Sequence, residues 1–128
     1  MKPKVSVITG YYRRAGVVRR TLESLLAQTL GDIEVVVFDD FSQDGTADAI
    51  ADFVREAKDT RIRAIYHDRN YGFVNGLIRW IPSLSGDFIA IQGSGDVSLP
   101  RRLELQAQAL DHKADVVVVG CHYTNIVE

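Results

Sequence analysis

Residues 33 to 46 read Ile-Glu-Val-Val-Val-Phe-Asp-Asp-Phe-Ser-Gln-Asp-Gly-Thr, and this stretch restricts the fold more than any other. Its first half is a short apolar run rich in β-branched residues, the pattern of a strand buried on both faces. The run stops at two adjacent carboxylates, Asp39 and Asp40. Ser42, Asp44, Gly45 and Thr46 follow, which are turn and helix-cap residues. A buried strand therefore delivers two aspartates to its carboxyl end, at the mouth of a loop that opens a helix. In open α/β sheets ligands bind at that edge. Both aspartates could instead serve only to cap the helix. One cap needs one residue, and Asp44 or Thr46 is better placed for it, so at least one of Asp39 and Asp40 is expected to bind a ligand.

The rest of the chain repeats the same unit. Val5 to Thr9 reads as a buried strand ended by Gly10. Val18, Leu22, Leu25 and Leu26 then recur at helical spacing. Ala47, Ile50, Ala51 and Val54 repeat that spacing after the second strand, Ile33 to Phe38. Ile62 to His67 alternates apolar and charged residues, as expected of a strand near a sheet edge. A third helix is predicted from Phe73 through Leu84, with Phe73, Leu77, Trp80, Ile81 and Leu84 on its apolar face. Phe88 to Ile91 is read as a fourth buried strand, and Pro100 stands near the start of a fourth helix carrying Leu103, Ala107 and Leu110. Ala114 to Gly120 is read as a fifth strand, which residues 121–128 could extend. Strands and helices that alternate with short connections predict an α/β, doubly wound, mostly parallel sheet with helices on both faces. The 128 residues suffice for one domain with a real core.

Charge and cysteine narrow the classes. Fifteen basic and 17 acidic residues leave a net charge of −2, so no global field draws the chain to nucleic acid. No apolar run approaches the ~20 residues of a membrane span, and no leader-like segment precedes the first strand. The single Cys121 forbids an internal disulfide and is expected to pack inside. A cytoplasmic location, peripheral to a membrane in one variant, is the expectation. His67, His112 and His122 have no metal-ligand spacing and are read as ordinary surface or strand residues. G-x-G-x-x-G after the first strand and G-x-x-x-x-G-K-[ST] are both absent, which disfavours dinucleotide and P-loop sites.

Three strand ends should face one crevice: Gly10-Tyr11-Tyr12, Asp39-Asp40 and Gly93-Ser94-Gly95-Asp96. An ionised carboxylate only accepts hydrogen bonds. At a nucleotide site it suits a base with a ring N–H, namely uracil, thymine or guanine. Tyr11 or Tyr12 could stack on that base. Gly93 and Gly95 let a ligand approach the backbone. Asp96 could hold Mg²⁺ or Mn²⁺ against a diphosphate, or cap the helix near Pro100. The basic loop with Arg13, Arg14, Arg19 and Arg20 could meet phosphate or form a solvated helix face, the latter being expected for Arg19 and Arg20.

These residues together resemble family 2 glycosyltransferases of GT-A fold. The resemblance is carried by Val5-Ser6-Val7-Ile8 with Tyr12, Leu25-Leu26-Ala27-Gln28-Thr29 and the Asp-Asp-x-Ser-x-Asp-Gly-Thr stretch from Asp39. Asn70-Tyr71-Gly72, Gly86-Asp87-Phe88-Ile89-Ala90 and Leu99-Pro100-Arg101-Arg102-Leu103 complete it. It implies a nucleotide-diphosphate-sugar donor, UDP-sugar favoured, and inverting transfer to a hydroxyl of a glycan or lipid-linked acceptor. It assigns Asp40 to the base, Asp39 to the nucleoside neighbourhood and Tyr12 to stacking, with Gly10 and Gly95 lining the donor and Asp96 as the metal ligand. Two departures stand out. The family's Asp-x-Asp is Gly93-Ser94-Gly95 here, leaving the trailing Asp96, so Mg²⁺ or Mn²⁺ is expected to bind only together with the diphosphate. The family's Pro-Thr-Tyr-Asn is Gly10-Tyr11-Tyr12-Arg13. Residues 1–128 correspond to the donor half of such a domain, with the general base expected beyond Glu128. A bare sheet edge and face are expected to drive homo-oligomers. The competing expectation is a non-catalytic nucleotide-sugar-binding or assembly module that has lost the metal motif.

Overall fold

A computed structural model describes residues 2–127. Four parallel strands form one sheet in the order β3-β2-β1-β4, with β1 at Val5–Tyr11, β2 at Ile33–Asp39, β3 at Ile62–Tyr66 and β4 at Phe88–Gln92. The helices between and after them are α1 (Val18–Leu26), α2 (Thr46–Ala57), α3 (Phe73–Trp80) and α4 (Arg102–His112). Pro82 ends α3 early, and Ile81–Ser83 tightens into a 3₁₀ turn.

Alternation along the strands divides the sheet into two faces. Val5, Val7 and Tyr11 of β1 join Ile33, Val35 and Val37 of β2 on one face. They pack with Val18, Leu22 and Leu25 of α1, Ile50 and Phe53 of α2, and Leu103 and Ala107 of α4. Ile8, Val36 and Phe38 point to the other face and are fully buried. There α3 brings Gly76 against the Phe38 ring. The chain thus winds outward from β1 to β3 and then crosses back to β4. The order reverses between β1 and β4, which opens a crevice at the carboxyl ends of the strands.

Other local expectations change as well. β1 runs through Gly10 to Tyr11 rather than stopping at Gly10, because Gly10 pairs with Phe38 and Tyr11 with Asp39. β4 is not buried on both faces: Ile89 is 45% and Ile91 50% exposed, since α3 reaches β1 and β2 but does not cover β4. Residues 114–120 form no strand among the described residues. A strand exists through its ladder to a neighbour, and the backbone bond recorded here is a local turn from Val116 N–H to the Lys113 carbonyl. Val117 and Val118 are exposed in consequence, and so is Cys121, which was expected inside. Glu128 lies outside the described residues. No helix among the described residues is long and apolar enough to cross a membrane.

Candidate functional site

The crevice holds a cavity of about 390 Å³, within the range of small-molecule sites. β1 contributes Gly10 and Tyr11 and the following loop Tyr12 and Arg14; Phe38 and Asp40 come from the end of β2, Phe73 from α3, and Gly93 and Ser94 from the loop after β4. The three strand ends predicted to meet do meet.

The Asp39–Thr46 stretch holds the loop after β1 at two points. Asp39 accepts the Ser42 N–H at 3.0 Å and also the Ser42 hydroxyl, with both aspartate and serine buried. Ser42 Oγ in turn accepts the Arg13 N–H at 2.8 Å. Asp44 repeats the device, accepting the Thr46 hydroxyl at 2.6 Å while Thr46 Oγ1 accepts the Arg14 N–H at 3.0 Å. Two carboxylates thus orient two hydroxyls, which tie down the loop carrying Tyr12 and Arg14. Asp39 does not line the cavity; its oxygens face the turn. Asp44 also accepts the Thr46 N–H at 3.1 Å, from the position before Gly45, the N-cap of α2.

Asp40 is the carboxylate at the cavity, although it is only 3% exposed. Its Oδ1 accepts the Tyr71 N–H at 2.9 Å and pairs with His67 Nδ1 at 2.8 Å. Its Oδ2 accepts the Gly72 N–H at 2.8 Å. A carboxylate offers about four acceptor positions, so one position on Oδ2 remains. Burial alone would raise the Asp40 carboxyl. The bonds from His67, Tyr71 and Gly72 outweigh it and hold the group below the ordinary carboxylate value. The Trp80 indole N–H donates to His67 Nε2 at 2.7 Å. Indole is a donor only, so Nε2 must accept and the imidazole proton sits on Nδ1, facing Asp40.

His67 is therefore buried and integral to the site, contrary to the ordinary strand or surface role expected of it. Its ring stacks on Phe38 at 5.0 Å and on Trp80 at 6.1 Å, and Phe38 stacks on Phe73 at 6.3 Å. Of this aromatic layer, Phe38 and Phe73 line the cavity. Gly10 and Gly76 make room for the layer: a Cβ on Gly10 would stand 2.3 Å from Phe38 Cζ, and one on Gly76 2.6 Å from the same ring. Tyr12 is 45% exposed beside the cavity, with the Arg13 guanidinium 5.2 Å from its ring centre.

Gly95 is buried and, unlike Gly93 and Ser94, does not line the cavity. Its φ of +96° is left-handed backbone, which glycine adopts without strain. Its N–H donates to Thr21 Oγ1 at 2.9 Å, and its carbonyl accepts Arg20 Nε at 2.9 Å. Asp96 does not cap a helix: α4 begins at Arg102 without a side-chain cap bond. Its exposed carboxylate stands over Gly93, where an added Cβ would lie 2.4 Å from Oδ2. Hard cations take six or more oxygens. Asp96 is a lone carboxylate, Gly93 and Gly95 supply no side-chain ligand, and no three His, Cys, Asp or Glu residues cluster to hold an ion among the described residues. The residues do not fit a cation held by the protein alone.

Residues 6–128 match the family described as Glycosyl transferase family 2. EpsE of Bacillus subtilis (strain 168) is 36% identical over 118 residues, which are 92% of this chain and 42% of EpsE. The mannosyltransferase PcManGT from Pyrobaculum calidifontis, solved with GDP-Man and Mn²⁺, superposes with a TM-score of 0.73 at 25% identity, over 86% of this chain and 32% of its own. TarS 1-349 of S. aureus, solved with UDP-GlcNAc, shares the fold with a TM-score of 0.74 at 24% identity, over 85% of this chain and 31% of its own. The chain thus spans less than half the length of these proteins.

Proposed function

The chain belongs to glycosyl transferase family 2, and on that premise we propose that its cavity takes the nucleotide-diphosphate part of a sugar donor. The observation that carries this reading is Asp40: a buried, ionised carboxylate at the cavity, with three of its four acceptor positions filled and one left. A ring N–H of uracil or guanine complements that position, whereas the pairing ring nitrogens of adenine and cytosine are themselves acceptors. GDP-Man in PcManGT and UDP-GlcNAc in TarS both carry such a base, which supports the reading. Tyr12 would stack on the base from the loop held by Ser42 and Thr46, Asp39 would shape the nucleoside neighbourhood through Ser42, and Gly10 and Gly93 would keep the β1 and β4 sides open.

The reaction in this proposal is direct displacement at the anomeric carbon with inversion: the hydroxyl oxygen of a glycan or lipid-linked acceptor forms the new bond as the bond to the diphosphate oxygen breaks, and the nucleoside diphosphate leaves. A general base takes the hydroxyl proton. The family resemblance implies a Mg²⁺ or Mn²⁺ ion touching Asp96. The donor set, one carboxylate beside Gly93 and Gly95, does not fit a resident ion. A nucleotide panel tests the proposal: calorimetry should rank uridine and guanosine diphosphates well above cytidine and adenosine diphosphates. Equal affinity across the four bases would overturn it.

We also propose that a second copy of the chain covers the bare apolar surface, because Ile89 and Ile91 of β4 and Val74 and Ile78 of α3 are all at least 45% exposed. Light scattering should then give a mass above the 14.3 kDa monomer at tens of micromolar, on the order of twice it. A clean monomer there would refute the association.

A further inference from the structure

We infer that Arg14 binds the diphosphate directly, so that nucleotide binding at this site needs no divalent cation. This inference rests on the nucleotide reading above and concerns the charge the site supplies to the two phosphates. At the two positions where the family resemblance places metal-binding aspartates, this chain has Gly93 and Gly95. The Gly95 position is backed by cationic groups. A Cβ there would begin 3.1 Å from Arg14 Nη2 and 3.5 Å from Arg20 Nη2. Where a carboxylate would gather a cation, two guanidinium groups stand instead.

Each arginine of the basic loop has a distinct fate. Arg19 is committed to Glu23 and Glu56 on the outer surface. Arg20 donates Nε to the Gly95 carbonyl and fixes that loop. Arg13 lies against the Tyr12 ring. Arg14 lines the cavity, and no carboxylate among the described residues forms an ion pair with it. Its backbone is held by Thr46, so the side chain is aimed from a fixed point. A guanidinium presents a planar fork of donors that matches phosphate oxygens, and it cannot lose its charge. The Asp40 carboxylate is tied to His67, Tyr71 and Gly72 in the same cavity and does not compete for Arg14.

The test compares uridine with uridine diphosphate by calorimetry, in EDTA and in Mn²⁺, on wild type, Arg14→Gln and Asp96→Ala. The gain in affinity from uridine to its diphosphate should be the same in EDTA as in Mn²⁺. Arg14→Gln should weaken the diphosphate about ten- to hundredfold and leave uridine unchanged, the loss expected for charge-assisted bonds. Asp96→Ala should change neither ligand. Arg14 is exposed and its hydrogen bonds run through its backbone, so the variant keeps the fold; unchanged uridine affinity serves as the internal check. A diphosphate gain that appears only with Mn²⁺ and vanishes in Asp96→Ala would overturn the inference and leave the nucleotide reading standing. A diphosphate affinity indifferent to Arg14→Gln would do the same. Absence of any uridine or guanosine nucleotide binding would remove both together.

Discussion

Replacing Asp40 by Asn should lower affinity for uridine diphosphate by about 10- to 100-fold, the equivalent of ~1.5–3 kcal/mol for a charge-assisted hydrogen bond. The amide also offers donors, so discrimination against cytidine diphosphate should shrink or reverse. The pH course carries a sign of its own. Asp40 is held below the ordinary carboxylate value of about 3.9 by its three donors. Its contribution is present above the unfolded-state value and is lost as pH falls through the lower folded-state value. Affinity limited by this group should therefore hold through the ordinary carboxylate range and fall only below it. Trp80→Phe gives the graded companion. It keeps the ring on His67 and removes the donor that fixes the imidazole proton toward Asp40. A loss of about fivefold is expected, one neutral hydrogen bond's worth. Calorimetry across a pH series measures all of this; an Asp40→Asn protein that binds uridine diphosphate as wild type does would refute the role given to Asp40.

Gly10→Ala should cost about 3 kcal/mol and lower Tm by on the order of 10 °C, at the upper end for overpacking a core. The new Cβ would meet Phe38 Cζ at 2.3 Å and Cε2 at 2.6 Å. Gly76 of α3 faces the same ring atoms, where an added Cβ would stand 2.6 Å from Cε2 and Cζ, which limits the ring's retreat toward that helix. Either β1 and β2 separate or α3 lifts. Thermal unfolding of Gly10→Ala reads the loss, and adding Phe38→Leu should restore much of it by shortening the obstructing side chain. An unchanged Tm in Gly10→Ala would mean that the Phe38 ring has room that the packing denies it. Because Phe38 also lines the cavity, the rescued double variant should still bind nucleotide more weakly than wild type.

Period and punctuation made much of this legible from the residues. The apolar runs that became β1 and β2, the helical spacing of α1 and α2, and the edge position of β3 are all local patterns. The Asp39-Asp40 pair marked the site, but strand geometry separates the two: neighbours on a strand point to opposite faces. Asp39 ends β2 and turns into its own loop, while Asp40 reaches the cavity. His67 carried no spacing signal. A signal did exist in register: Tyr66 pairs with Asp39, so the residue just after β3 falls beside Asp40. Trp80 could have been found from Gly76, since Phe73, Gly76 and Trp80 recur at i, i+3 and i+7 on one side of α3. The segment 114–120 was misread for a different reason. An apolar run states that burial is favourable, but it does not name the neighbour that would accept it. The Gly93-Ser94-Gly95 departure was visible as a loss of carboxylates; the guanidinium groups beside Gly95 come from Arg20 and Arg14, 75 and 81 positions earlier, and needed the fold to be seen.

The paired hydroxyl ties from Ser42 to Arg13 and from Thr46 to Arg14 bear on when the chain meets its entropy cost. Arg13, Phe41 and Gln43 all hold left-handed backbone at φ of 53°, 63° and 54°, conformations that a free loop of such residues would seldom visit. The ties select them during folding, before any ligand arrives. Association then freezes little further backbone, so affinity is not eroded by ordering this loop, and the loop needs no closing motion to reach its binding shape.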